Sequence, residues 1–91
     1  MSGENTKDSL LLIIWELKNQ NFLIKDYCSM RMDERGIRFF DLLAVIKKNY
    51  GPIWNSKNRS WNFTGKSLDG ELLTLACKYN KGTVIVTVFK E

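Results

Sequence analysis

The stretch Asn49-Tyr50-Gly51-Pro52-Ile53-Trp54-Asn55 separates two parts of the chain with different apolar periods. Before it, Leu10, Ile13, Ile14 and Leu17, and later Phe39, Leu42, Leu43, Ile46 and Tyr50, recur every three or four positions, the stripe of a helix that buries one face. Arg38, Asp41, Lys47 and Lys48 are expected to point away from the second stripe. Gly51-Pro52 ends that helix, because proline lacks an N–H and disfavours the helical conformation in the residue before it. Beyond it the period falls to two: Ile53-Trp54, then Trp61 and Phe63, then Leu73, Leu75 and Cys77, then Val84, Val86 and Val88, the alternation of half-buried strands. Turns are marked at residues 55–58, 68–71 and 80–82, and Asp69-Gly70 supplies the positive φ of a tight hairpin. Helices followed by strands, without alternation, predict an α+β fold with the N-terminal helices packed on one face of a C-terminal antiparallel β-meander.

Residues 1–5 form a polar leader, and residues 6–91 are expected to make a single α+β domain. Thr6 or Asp8 can cap the first helix, read over residues 7–19. Leu11, Leu12 and Trp15 give that helix a second apolar face, which is expected to be covered by the fold or, failing that, by another copy or a partner. Asn19-Gln20-Asn21 breaks the pattern and Phe22 and Leu23 resume it.

Charge then intrudes where a core helix should be apolar. Asp26-Tyr27-Cys28-Ser29-Met30-Arg31-Met32-Asp33-Glu34-Arg35-Gly36-Ile37 reads as a short helix with Asp26 as N-cap and Gly36 as its left-handed terminus. Ile24, Cys28 and Met32 step along one side, and Tyr27, Arg31 and Arg35 form a neighbouring stripe that leans toward the protein. An inward arginine must meet a carboxylate, here Asp41 or Asp69, or open into a groove that admits solvent or an anion.

Composition narrows the chemistry. Of 91 residues, 44% are hydrophobic, and the net charge of +4 biases the chain toward polyanions. With no histidine and two cysteines, Cys28 and Cys77, no metal site and no cofactor is expected, and a cytoplasmic location is the default for free apolar-flanked thiols. The apolar run at residues 10–15 is too short to span a bilayer and is followed by no cleavage signal, so no membrane association is expected. Gly65-Lys66-Ser67 lacks the earlier glycine of a phosphate loop and reads as hairpin chemistry. What remains is phosphate-directed chemistry: Arg31, Arg35, Arg59 and Lys66 can hold a phosphate backbone, and Tyr27, Trp54, Trp61 and Tyr79 offer rings for stacking bases. Trp54 and Trp61 are also readable as core aromatics, and for at least one of them that is the favoured reading.

Over residues 24–89 the chain resembles the small prokaryotic domains related to the RelE and BrnT toxins. The residues that carry the likeness are Arg31, Arg35, Gly36 and Ile37, the segments 61–73 and 83–89, and their order. Members show His-x-x-x-Arg-x-x-x-Arg-Gly-Ile, and here Tyr27 stands at the histidine position. The resemblance implies a helical layer against a curled sheet, a groove that admits RNA, and an antitoxin partner. It also implies metal-independent endoribonuclease chemistry, in which Tyr27, Arg31 and Lys66 would be catalytic and Arg35, Arg59 and Trp61 would bind RNA. The competing reading is a non-catalytic interaction domain of the same fold, with structural arginines and a homodimer or other protein assembly through the N-terminal helix. Convergence of Arg31, Arg35, Arg59 and Lys66 on one open groove would favour the first, and scattered placement the second.

Overall fold

The computed structural model describes residues 7–91; the leader and Thr6 lie outside the described residues. A 3-10 turn, Lys7–Ser9, opens α1 (Leu10–Lys18). It is followed by β1 (Phe22–Ile24), α2 (Asp26–Arg35), α3 (Phe39–Lys47), β2 (Ile53–Asn55), β3 (Ser60–Lys66), β4 (Leu72–Tyr79) and β5 (Thr83–Lys90). The sheet order is β1-β5-β4-β3-β2, with β2 to β5 pairing as sequential antiparallel neighbours.

The expectation of a purely antiparallel sheet is corrected at β1. Phe22 and Leu23 do not resume a helix; they add a short edge strand parallel to β5, Phe22 against Thr83 and Ile24 against Ile85. Parallel pairing needs a long crossover, and the chain between β1 and β5 supplies it with α2, α3 and β2 to β4.

The helices contribute Ile13, Leu17, Cys28, Met32, Leu42, Val45 and Ile46 to one core, which Phe63, Leu73, Leu75, Cys77, Ile85 and Val88 close from the sheet. The layered α+β arrangement therefore stands. In β5 strict alternation does not: Ala76 pairs with Thr87 and Cys77 with Ile85, so Val86 is an extra residue. This bulge puts Ile85 and Val88 into the core in place of the expected Val84, Val86 and Val88 set.

Three further expectations change. Asp26 is the first residue of α2 and not its side-chain cap; Lys25 precedes the helix in extended conformation, while Gly36 ends it at φ 70° as its missing Cβ allows. Asp41 does not point away but is 3% exposed, because its carboxylate accepts the Arg38 N–H at 2.9 Å and the Leu68 N–H at 3.1 Å. The second face of α1 is uncovered: Leu11 is 82% and Trp15 60% exposed, since β4, β5 and α3 all lie under the Ile13–Leu17 side.

Candidate functional site

The site is assembled where β1 hands over to α2. Lys25 N–H donates to the Ile85 carbonyl at 3.0 Å, so the helix begins beside the β5 bulge and runs along Val86 to Val88. Cys28 and Met32 anchor it in the core, and burial pushes the Cys28 thiol up against a weaker opposing bond from the Val88 backbone. With these two residues facing inward, Tyr27, Arg31 and Arg35 fall on the adjacent side and border a hollow of about 100 Å³ closed by Val86, Thr87 and Val88.

Within the stripe, Arg31 donates to the Tyr27 hydroxyl oxygen at 2.6 Å, and its guanidinium carbon lies 5.5 Å from the ring centroid. Arg31 Nε also stands 3.5 Å from Glu34 Oε1 in a largely solvated pair, of the kind that stabilises little. Arg35 is exposed and, among the described residues, makes no ion pair. The internal pairing of these arginines with Asp41 or Asp69 is therefore corrected: Asp41 serves Arg38 and Leu68, and Asp69 lies in the exposed β3–β4 loop.

The hollow shares Tyr27, Val86 and Thr87 with a broader groove of about 610 Å³ on the sheet face turned away from the helices. The groove is lined by side chains that alternate with the core: Ser60 and Asn62 from β3, Ala76 and Lys78 from β4, Phe89 from β5. Lys25 and Tyr27 bound it on one side and Asn58 on the other, and among the described residues its charged lining is Lys25 and Lys78. The buried Ser60 hydroxyl donates to Asn62 Oδ1 at 2.9 Å, which leaves the Asn62 amide nitrogen as a donor. A surface with two lysines, amide donors, two rings and, among the described residues, no carboxylate in its lining is suited to an anion with planar groups attached.

Not every candidate residue converges here. Arg59 sits at φ 54° in the β2–β3 turn, exposed, between groove-lining Asn58 and Ser60 but not itself in the lining. Lys66 borders a separate hollow of about 520 Å³ with Lys48, Asn49 and Tyr50, and shares no lining residue with the Tyr27 groove. Trp61 pairs with Cys77 and packs on the core beside Trp54, ring centroids 5.1 Å apart, on the helix side of the sheet. Lys25, Asn58, Asn62, Lys78 and Phe89 were missed by sequence reasoning; the polar alternation of Ser60, Asn62 and Thr64 against Trp61 and Phe63 was the signal that could have found the open face.

Chemically, the stripe can hold a phosphate on Arg31 and Arg35, and the Tyr27 hydroxyl beside Arg31 can give or take a proton. Among the described residues no group of three His, Cys, Asp or Glu could hold a metal ion, and no helix is long and apolar enough to cross a membrane. Comparison with protein-family models, curated proteins and solved structures finds no match to this chain.

Proposed function

We propose that this chain is an RNA-directed domain of the RelE/BrnT type, which takes single-stranded RNA across the open sheet face with a phosphate held by Arg31 and Arg35. The observation that carries the reading is the Tyr27-Arg31-Arg35 stripe, in which Arg35 makes no ion pair among the described residues, at the rim of a groove whose charged lining among those residues is Lys25 and Lys78. In a cleaving version, the RNA 2′-OH attacks the adjacent phosphate, Tyr27 transfers a proton and Arg31 stabilises the charge that develops on the phosphate. Lys66, placed elsewhere, takes no part in that step.

Binding of a labelled single-stranded oligoribonucleotide tests the reading. Each arginine removed should lower the slope of log K against log salt by about 0.7 for a single strand. Arg31→Ala and Arg35→Ala should therefore weaken binding at low salt while leaving the unfolding midpoint nearly unchanged. Growth arrest on controlled expression, relieved by Arg31→Ala, would add catalysis or translational interference to binding. Absence of any RNA binding by the parent chain refutes the proposal and leaves the interaction-domain reading, which the exposed Leu11, Leu12 and Trp15 of α1 favour.

A further inference from the structure

We infer that the hollow at the end of α3 is a second binding site, which takes a nucleoside monophosphate with its phosphate on Lys48 and Lys66 and its base on Tyr50. The hollow, of about 520 Å³, is lined by Ala44, Lys48, Asn49 and Tyr50 on one side and by Gly65 and Lys66 of β3 on the other. Pockets that hold small ligands span about 300–1,000 Å³. Lys48 and Lys66 are exposed and make no ion pair among the described residues, and no carboxylate among those residues lines the hollow. Two like charges that face one hollow repel, and an anion between them turns that repulsion into attraction. Tyr50 is 70% exposed, so its ring is open to a planar group.

The backbone that carries these side chains is fixed. Asn49 Nδ2 donates to the Val45 and Ile46 carbonyls at 3.0 and 3.2 Å, and Asn49 Oδ1 accepts the Gly51 N–H at 3.0 Å. The Tyr50 N–H donates to the Thr64 carbonyl at 2.7 Å, which ties the segment to β3. Gly65 lets the two segments touch, since a Cβ there would collide with the Lys48 carbonyl oxygen and crowd Asn49. Lys48 and Lys66 therefore rise from backbones in direct contact, close enough to share one phosphate. The end of a helix ordinarily repels an anion through its free carbonyls. Here the Ala44 carbonyl accepts the Lys48 N–H, and those of Val45 and Ile46 accept the Asn49 amide, so three of them are occupied. A bare phosphate would leave Tyr50 unused, whereas a nucleoside phosphate engages both lysines and the ring. The site shares no lining residue with the Tyr27 groove and stands whether or not RNA binds there.

Titration of the isotope-labelled full chain with adenosine 5′-monophosphate, followed by amide NMR shifts, tests the site. Saturable shifts are expected at residues 48–50 and 65–66, with a Kd of about 0.1–1 mM. Lys48→Ala and Lys66→Ala should each weaken binding by about three- to tenfold, while Lys66→Arg should keep it. Tyr50→Ala should weaken the nucleotide by about tenfold and leave binding of inorganic phosphate unchanged. Adenosine, which lacks the phosphate, should bind at least about tenfold more weakly. The dispersion of each variant's amide spectrum shows that it is folded. No saturable shift at these residues up to about 10 mM, shifts confined to the groove around Asn62, or adenosine binding as tightly as its monophosphate would each overturn the inference.

Discussion

Asp41 is a buried carboxylate whose removal has a calculable cost. Its two oxygens hold two segments together: Oδ2 accepts the Arg38 N–H at the start of α3, and Oδ1 accepts the Leu68 N–H in the β3–β4 loop, 27 residues away. Hydrogen bonds to charged acceptors contribute about 1.5–3 kcal/mol each. Arg38 and Leu68 are themselves exposed, so water recovers part of that, and Asp41→Ala should destabilise by about 2–4 kcal/mol. The Arg38 guanidinium, 3.9 Å from Oδ2 and 64% exposed, should add less than about 0.5 kcal/mol. Arg38→Ala, which keeps the backbone donor, is thus the internal control. Urea unfolding followed by tryptophan fluorescence would read the difference: with m at the low end of about 1–3 kcal/mol/M, the Asp41→Ala midpoint should fall by about 2–4 M. A cost below about 1 kcal/mol, or an Arg38→Ala cost equal to that of Asp41→Ala, would refute the claim that the two backbone donors make Asp41 a clamp.

The other predictions concern the sheet and its contacts. Glu16→Ala strands the buried Thr83 N–H and hydroxyl, which share Glu16 Oε1 at 2.9 and 2.7 Å, and should cost about 2–3 kcal/mol by the same denaturation assay, with Glu16→Gln costing less. Gly65→Ala would place a Cβ 2.4 Å from the Lys48 carbonyl oxygen; the backbone must shift, and thermal melting should show a loss of about 1–3 kcal/mol, roughly 4–8 °C per kcal/mol. Burial raises the thiol pKa of both Cys28 and Cys77. The unfolded thiols therefore release their protons first: this stability is fully present below the unfolded value of about 8.5 and declines as pH rises above it, by up to about 1.4 kcal/mol per pH unit per thiol. Cys77→Ala should flatten that alkaline decline, and native protein at pH 8 should react with a thiol reagent only at the rate of its unfolding.

The order of helices before strands, the break at Gly51-Pro52 and the three hairpin connections were legible in the sequence because each is a local matter. Periods of 3.6 and 2 follow from backbone geometry, and proline and glycine act on their own φ and ψ. The Tyr27-Arg31-Arg35 stripe was legible for the same reason, since residues four apart on a helix are neighbours whatever surrounds them. The groove they border was not. It depends on the open sheet face meeting the start of α2, and so on β1 pairing with β5, a contact between segments about 60 residues apart. The bulge at Val86 shifts which side chains of β5 face the core, and one added residue leaves no mark in an alternating apolar run. Asp41 belongs to the same class: whether a carboxylate on a helix points to water or inward was settled by a loop donor 27 residues later. Lys66 and Trp61 shared a strand with groove-lining Asn62, yet strand position and pleat parity put Lys66 in another hollow and Trp61 on the core. Sequence determined which residues could act together along one element; only tertiary structure decided which elements met, because those contacts are long-range and depend on the packing of the whole core.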